Sequence, residues 1–233
     1  SKVSLLAYIE NTFGINMNEE QIENLNTLAK LTDYIENNEH TFNTTTITWK
    51  DILATKVDVK LEKPGFTQWC TYTFTKILFG ICYRFRFKGS RKLPNTPCII
   101  VANHRCAIDG FLITYNFSRK INKETFFFAK EKHWRTKFAQ FFARKNNIIL
   151  MDINKNVRQS IQEMCAVLKK GKNIVIFPEG TRSRDNKMKK FKETFAILSK
   201  ELNVPVIPVA ISGSESACYG SSIVPKFWKT INV

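Results

Sequence analysis

The sequence predicts an α/β fold, in which a largely parallel central sheet is flanked by helices and a small α-helical appendage precedes it. Two patterns favour this class: short runs that are apolar on both faces, and amphipathic helical segments that separate those runs. A strand that is apolar on both faces needs cover on both sides, which crossover helices supply when the strands are parallel. In such sheets we expect functional residues where the strands end, at the carboxyl edge.

Strands and helices alternate along the chain from about residue 64. The predicted strands are CIIVA at 98–102, TFFFAK at 125–130, NIILM at 147–151, NIVIF at 173–177 and VPVIPVAI at 204–211. The predicted helices lie near 66–83, 108–115, 133–144, 157–171 and 191–202. This order is typical of a sheet that is covered by helices on both faces.

The first 63 residues differ in composition from the rest of the chain. Residues 1–40 predict a helix, an acidic loop and a second helix, because apolar residues recur at helical spacing on either side of the loop. With FGI followed by an acidic loop, the segment resembles the C-terminal half of an acyl carrier protein; an unrelated acidic pair of helices is the alternative. The serine that carries phosphopantetheine in that family would precede Ser1. Residues 41–63, polar and rich in threonine, predict a linker with room for one short helix, which leaves 64–233 as the main domain.

The charge of the chain is large and unevenly distributed. The net charge is +16, yet residues 1–51 hold three basic and eight acidic residues, a net of −5 that leaves +21 for the remainder. Such an excess predicts an anionic partner: nucleic acid, a phosphorylated metabolite or a lipid surface. The segment 119–145 holds nine basic and two acidic residues; a solvated face is the plain interpretation, and contact with an anionic bilayer or with an acidic acyl carrier protein is the alternative. Nucleic-acid binding is a rival hypothesis, but no helix-turn-helix, zinc or RNA-recognition signature supports it.

The cysteines and the apolar runs indicate a reduced, peripheral setting. The six cysteines form no CxxC pair and several lie within apolar runs, which favours free thiols and a cytoplasmic location. The longest apolar run, ILFGICY, is far shorter than the roughly 20 residues of a spanning helix. We therefore expect the chain to contact a membrane only from its surface.

The predicted helix at 66–83 carries more aromatic residues than packing on a sheet requires. One apolar stripe has helical spacing and is expected to face the sheet: Cys70, Phe74, Ile77, Leu78, Ile81 and Phe85. Four aromatic residues fall outside that stripe: Trp69, Tyr72, Phe79 and Tyr83. A helix that is aromatic nearly all round also suits the membrane interface, with basic neighbours near anionic phosphates.

The first candidate site follows the strand at 98–102, in the stretch ANHRCAIDGF. His104 and Asp109 stand five positions apart, which on a helix turning about 100° per residue would separate them by roughly 140°. If the chain instead turns after Ala102 and enters a helix near Ile108, the aspartate can reach the histidine ring and orient it as a base. The plainer alternative is a pair that closes a turn. Cys106, two residues from the histidine, is an alternative nucleophile.

The second candidate site is IVIFPEGTRSR at 174–184. Pro178 ends the strand, and Gly180 allows the chain to turn. The polar residues that follow predict a phosphate-binding loop, since guanidinium groups can donate two hydrogen bonds to the oxygens of one phosphate. The candidate substrate-binding residues are Glu179, Gly180, Thr181 and Arg182. A surface salt bridge is the alternative for the glutamate and the arginine. In a third stretch, VIPVAISG at 206–213, small residues at a strand end predict close approach of the backbone to a ligand.

In this order, NHRCAID at 103–109, FPEGTRS at 177–183 and VIPVAISG at 206–213 resemble the glycerolipid acyltransferase family, specifically the 1-acyl-sn-glycerol-3-phosphate acyltransferases. The resemblance spans roughly 66–220. It implies transfer of a fatty acyl group from an acyl thioester, acyl-CoA or acyl carrier protein, to the hydroxyl of a lysophosphatidate-like acceptor. The product is phosphatidate, in phospholipid biosynthesis, and the chemistry needs no metal or other cofactor.

The resemblance also implies a role for each matched residue. His104 becomes the general base that takes the proton of the acceptor hydroxyl, and Asp109 becomes its orienting partner. Arg182 becomes the ligand of the acceptor phosphate, while Glu179 holds either the acceptor or the loop. Backbone amides near Gly180 or Ala210 are candidates for stabilising the oxyanion.

One block departs from the family pattern. The stretch NNIILMDIN at 146–154 places Ile153 where the family has an arginine and Asn147 where it has a glycine. Lys155 or Arg158 is a candidate replacement for the lost charge. The departure keeps two alternatives open: a different lipid acceptor, or a domain of this family that binds lipid or anion without turnover.

Overall fold

The structure is a computed structural model that describes residues 2–15, 17, 19–38, 49–89, 93–131, 134–151, 157–183, 188–218 and 226–233. Its helices are α1 (Lys2–Phe13), α2 (Glu19–Asn24), α3 (Leu28–Asn38), α4 (Trp49–Ala54), α5 (Phe66–Cys82), α6 (Asp109–Asn116), α7 (Arg119–Lys123), α8 (Lys137–Lys145), α9 (Val157–Lys169) and α10 (Thr194–Leu202). Its strands are β1 (Tyr83–Arg86), β2 (Ile99–Ala102), β3 (Thr125–Lys130), β4 (Ile148–Met151), β5 (Asn173–Ile176), β6 (Val206–Val209) and β7 (Lys229–Asn232). Within the described ranges, no helix combines the length and the apolar character that crossing a bilayer requires.

Five strands form one sheet in the order β4-β3-β5-β2-β6, and every neighbouring pair in it is parallel. β2 lies between β5 and β6, so that Ile99 is opposite Ile174 on one side and Val206 on the other. All four residues of β2 are buried. The predicted α/β fold with a parallel sheet flanked by helices is therefore confirmed.

The sheet separates two apolar layers, and β2 contributes to both of them. Ile99 and Val101 pack with the helices α1, α4, α9 and α10 on one face, whereas Ile100 and Ala102 pack with α5 and α6 on the other. Alternate residues of a strand point to opposite faces, which explains this division. A strand that serves two cores has to be apolar throughout, as the sequence of β2 is.

A second, two-stranded parallel sheet joins β1 to β7. The segment YRFRFKG had no predicted element, and β7 was not predicted either. In β1 only Tyr83 is buried, and the strand gains its hydrogen bonds from residues far along the chain, with Tyr83 opposite Lys229. Local sequence carries little information about a pairing of this kind.

The N-terminal helices share the main core instead of standing apart from it. Leu6 and Ile9 of α1 are buried in the same cluster as Ile161 and Cys165 of α9. The predicted appendage at 1–40 is helical in its described part, but its apolar stripe needs cover and α9 supplies that cover.

The described part of the predicted linker at 41–63 also packs against this layer. It contains α4, whose Ile52 and Leu53 are buried. The side chain of Gln162 donates to the Ile52 carbonyl at 2.9 Å, and Lys169 Nζ donates to the Leu53 carbonyl at 2.6 Å. The packing thus shows no domain boundary at residue 63, because α9 contacts α1 and α4 before that residue and β5 and α10 after it.

The helix α5 buries the face opposite to the one predicted. Phe74, Ile77 and Ile81, expected against the sheet, are 65%, 60% and 58% exposed, whereas Phe79 is buried. Because the helix is apolar nearly all round, its stripe does not determine which face turns inward. The Tyr72 hydroxyl, which donates to the Phe117 carbonyl at 2.9 Å, helps to fix the orientation.

The burial of α1 predicts that its core residues stabilise the whole domain. Ile9 is 1% exposed and Leu28 of α3 is 80% exposed. We expect Ile9→Ala to lower the free energy of unfolding by about 2–5 kcal/mol, since it leaves a cavity in the core. The matched control Leu28→Ala should change it by no more than about 0.5 kcal/mol. Urea unfolding followed by circular dichroism measures both, and an unchanged main transition in Ile9→Ala would show that α1 is set apart from the core.

Candidate active site

Three loops meet where neighbouring strands end. β2 ends at Ala102, β5 ends at Ile176 and β6 ends at Val209, and these strands lie side by side in the sheet. Because they are parallel, their carboxyl ends lie at one edge. The fold thus brings together the three stretches that the sequence singled out.

The first loop holds His104 and Asp109 in contact. The distance between His104 Nδ1 and Asp109 Oδ2 is 3.0 Å, and Asp109 is completely buried at the start of α6. The same oxygen accepts the backbone N–H groups of Arg105 at 2.6 Å and Cys106 at 2.7 Å. A carboxylate in this position favours the tautomer in which Nδ1 carries the proton, and Nε2 then keeps the lone pair that a base needs.

The second loop holds the backbone of the first. The His104 N–H donates to Glu179 Oε1 at 3.0 Å, and the His104 carbonyl accepts the Ser183 N–H at 2.9 Å. The other oxygen of the buried Glu179 accepts the Lys189 N–H at 3.1 Å. Of the two roles implied for Glu179, this geometry favours holding the loop.

The ring of His104 also has a partner in the second loop. It stacks on Phe177 with 4.3 Å between the ring centroids and 24° between the planes. The stacking limits rotation of the imidazole about its side-chain bonds. Together with the Asp109 contact, it fixes the direction in which Nε2 points.

The second loop and the segment after it carry several cations. Arg182 directly precedes Ser183, whose backbone N–H is hydrogen-bonded to the His104 carbonyl. Lys189 Nζ donates to Thr181 Oγ1 at 2.9 Å. Gly180 has a φ of +67°, and a Cβ added there would lie 2.7 Å from Cε of Lys192, so glycine allows the lysine side chain to approach. Sequence reasoning missed both lysines, although the basic run MKKFK at 188–192 was a signal that could have revealed them.

The third loop is tied to the first by Asn103. Its side chain donates to the Ile211 carbonyl at 2.8 Å and accepts the Ile211 N–H at 2.7 Å. Close backbone approach does occur at Gly213, but the neighbour is another strand: a Cβ there would lie 2.2 Å from the Thr230 carbonyl oxygen of β7. At Gly213 the space is therefore taken by β7, and ligand contact by the rest of this loop stays a prediction.

The geometry disfavours two predicted roles: Cys106 as a nucleophile and the Gly180 amide as a donor to the oxyanion. Cys106 is buried in the same apolar cluster as Cys218, which disfavours it as an acylated nucleophile. Burial and the neighbouring Cys106 raise the pKa of the Cys218 thiol to about 12, which keeps it protonated. The Gly180 N–H donates to the Phe177 carbonyl at 3.0 Å, so it is already engaged and is a poor oxyanion donor in this conformation.

The structure describes only part of the stretch 146–154, which differs from the family pattern. Ile153 and Lys155 lie outside the described residues. Asn147 has a φ of +58°, a left-handed conformation that glycine adopts freely and asparagine tolerates. Its buried amide donates to the carbonyls of Lys123 at 3.0 Å and Thr125 at 3.2 Å. An asparagine can therefore take the place of the family glycine while it anchors the start of β3.

Comparison with known proteins shows what the chain is similar to. Residues 84–212, more than half of the chain, match the family model described as Acyltransferase. A 1-acyl-sn-glycerol-3-phosphate acyltransferase of Cocos nucifera is 32% identical over 132 residues, which cover 55% of this chain and 42% of that protein. A protein of the same name from Pseudomonas aeruginosa is 26% identical over 146 residues, which cover 61% of this chain and 54% of that protein.

A solved structure is also similar. The crystal structure of the 1-acyl-sn-glycerophosphate (LPA) acyltransferase PlsC from Thermotoga maritima superimposes with a TM-score of 0.55 at 25% sequence identity. The match covers 71% of this chain and 66% of that one. The chain spans about half the length of the two relatives from Cocos and Pseudomonas.

Proposed function

Because the chain belongs to the Acyltransferase family, we propose that it transfers a fatty acyl group from an acyl thioester to the free hydroxyl of a lysophosphatidate, giving phosphatidate. One observation carries this proposal: His104 is oriented by Asp109 beside a cationic loop, at the carboxyl edge of the sheet. A base held next to a cationic loop suits an acceptor that has both a hydroxyl and a phosphate. The names of the relatives from Cocos and Pseudomonas point to the same acceptor.

The reaction follows from the positions of these groups. Nε2 of His104 takes the proton of the acceptor hydroxyl as its oxygen bonds to the thioester carbonyl carbon, which gives a tetrahedral intermediate. Collapse of the intermediate breaks the carbon–sulfur bond, and the departing thiolate receives the proton from the imidazolium. Asp109 stabilises the imidazolium between these two steps. No covalent acyl-enzyme is needed, in keeping with the buried position of Cys106.

The acceptor phosphate binds to the cations of the second loop. Arg182 provides a planar donor group, and Lys189 and Lys192 add charge from the segment that follows. The lysines provide positive charge near the site in place of the family arginine, whose position corresponds to Ile153. An acceptor other than lysophosphatidate is the second candidate, and that substitution is the observation that favours it.

The protein contacts the membrane through an apolar surface, which we call the outer face. It consists of Phe74, Ile77 and Ile81 of α5 with Phe138 and Phe141 of α8. All five are exposed, and α5 and α8 are in contact. Arg144 and Lys145 end α8 beside this face. Exposed aromatic and aliphatic side chains next to basic ones are typical of surfaces that bind anionic membranes. We place the protein at the cytoplasmic surface of the membrane that contains its acceptor.

The acyl donor is coenzyme A thioester or acyl carrier protein. The basic segment at 119–145 suits either donor, since both are anionic. The resemblance of the N-terminal segment to an acyl carrier protein stays a prediction, because the matched family model begins at residue 84. The fold places the buried side of α1 against α9, so any contact with a carrier protein would use other surfaces of that helix.

Removal of the base should abolish most of the activity. We expect His104→Ala to lower kcat by roughly 10²- to 10⁴-fold, the range for loss of one general base. The measurement is transfer of a labelled palmitoyl group from coenzyme A, and in parallel from acyl carrier protein, to lysophosphatidate in anionic vesicles. Retention of full activity would contradict the mechanism, whereas inactivity of the unaltered chain with every acceptor tried would favour a lipid-binding domain without turnover.

Removal of a phosphate ligand should weaken acceptor binding more than it slows chemistry. We expect Arg182→Ala to raise KM for lysophosphatidate by about tenfold, because a charge-assisted hydrogen bond contributes about 1.5–3 kcal/mol. The same assay provides KM and kcat. Lys190→Ala is the matched control, since this exposed lysine of the same segment has no described contact with the loop. Equal effects of both substitutions would mean that only the overall charge matters.

Disruption of the outer face should release the protein from membranes. We expect the double substitution Ile77→Glu with Phe138→Glu to weaken binding to vesicles rich in phosphatidylglycerol at least tenfold, because charged groups resist burial among lipid tails. Co-sedimentation measures the bound fraction. The control is Leu28→Glu, an equally exposed position on a helix of the opposite layer. If the control weakens binding as strongly as the double substitution, the outer face is not the contact.

A further inference from the structure

A cavity of about 500 Å³ lies at the amino end of α5, between that helix and α7. Phe66, Gln68, Trp69 and Tyr72 line it from α5, and Arg119 and Lys123 line it from α7. The sequence predicted membrane contact for the two segments that line it, at 66–83 and 119–145, but no cavity between them. The cavity is distant from the catalytic histidine: Gln68 lies 14 residues before Cys82, or about 21 Å along the helix at 1.5 Å per residue. Cys82 is the end of α5 that packs with the catalytic loop.

The electrostatics of the cavity favour an anion. Arg119 and Lys123 stand four positions apart on α7, and neither forms a salt bridge within the described part of the chain. No lining residue is acidic. The amino end of the 17-residue helix α5 adds backbone N–H groups that no capping side chain of Gly65 satisfies. Burial raises the pKa of Tyr72 while the charge of Arg119 opposes that rise, as expected if the guanidinium lies near the phenol.

The side chain of Gln68 provides an independent indication of a ligand. Gln68 is only 5% exposed, yet it lines the cavity, and the described residues offer its amide no hydrogen-bond partner. The amide atoms themselves are not sealed from solvent, so they open onto the cavity, where water or a ligand can satisfy them. An anion in the cavity would accept the amide N–H together with the two cations and the helix end.

We propose that this cavity binds the phosphate of an anionic phospholipid headgroup, at a site separate from the catalytic one. Phe66 and Trp69 stack at its lip with 5.6 Å between ring centroids, and both are exposed on the side of α5 that carries the outer face. A lipid whose phosphate enters the cavity can therefore lay its acyl chains beside these rings. The volume exceeds that of a phosphate alone and leaves room for its substituent. A water-soluble phosphate compound is the other source of the same chemistry.

Rigid walls support this assignment. Asn122 also lines the cavity, and the amide of Asn147 holds the carbonyls of Asn122 at 3.3 Å and Lys123 at 3.0 Å. The Ser118 hydroxyl caps the start of α7 by accepting the Ile121 N–H at 3.3 Å. The two cations are thus carried by a helix that is fixed at both ends, which lowers the entropic cost of binding.

The test measures binding to the full chain by calorimetry with three probes: dihexanoylphosphatidylglycerol below its micelle concentration, dihexanoylphosphatidylcholine and inorganic phosphate. We expect Arg119→Gln with Lys123→Gln to raise Kd for the phosphatidylglycerol probe at least tenfold, and Gln68→Leu to raise it severalfold. Lys120→Gln is the matched control, because this lysine of α7 does not line the cavity. The control and Arg182→Ala should each change Kd less than twofold.

Each outcome decides the proposal. Weak binding of inorganic phosphate together with tight, variant-sensitive binding of phosphatidylglycerol supports a lipid headgroup. Equal binding of inorganic phosphate would support a phosphate site but overturn the lipid assignment. The site itself is overturned if Lys120→Gln is as damaging as the double substitution, if the two phospholipids bind equally well, or if Arg182→Ala removes the binding. None of these results depends on acyl transfer, so failure here leaves the proposed function standing.

Discussion

The site depends on the position of β2 at the centre of a parallel sheet. Its two neighbours, β5 and β6, come from distant parts of the chain, and pairing with both places three loops at one edge. The same strand separates the two apolar layers, because its alternate residues enter different cores. A polar substitution in β2 would therefore disturb both cores and the loop that carries His104.

Two buried carboxylates connect this scaffold to the proposed base, His104, and they do so in different ways. Asp109 concentrates three donors on one oxygen, including the imidazole, and so controls which nitrogen of His104 is basic. Glu179 binds backbone on both sides and joins the catalytic loop to the segment that carries Lys189. Loss of either would act on the same ring, one through its protonation and the other through its position.

Much of this could be predicted from the sequence, and the failures have physical reasons. Short runs that are apolar on both faces predicted the strands of the parallel sheet, and the five-residue spacing of His104 and Asp109 predicted the turn between them. The inward face of α5 could not be predicted, because its apolar residues surround the helix and its orientation depends on contacts with α6, α8 and β1. The β1–β7 pairing and the burial of α1 depend on partners far along the chain. Lys189 and Lys192 looked like an ordinary basic run until the turn at Gly180 brought them to the loop.

The packing of α1 on α9 also bears on how the chain folds as it is synthesised. Ile9 and Ile161 belong to one core although about 150 residues separate them, so at roughly 5–20 residues per second the ribosome needs about 8–30 s to supply the partner. Throughout that interval the apolar side of α1 is covered by α2 but lacks the native cover that α9 supplies. Pairings over such long separations are slow and expose the nascent chain to aggregation. The acidic character of the first 51 residues, which repel one another in the unfolded chain, gives the nascent segment a means to stay soluble while it waits.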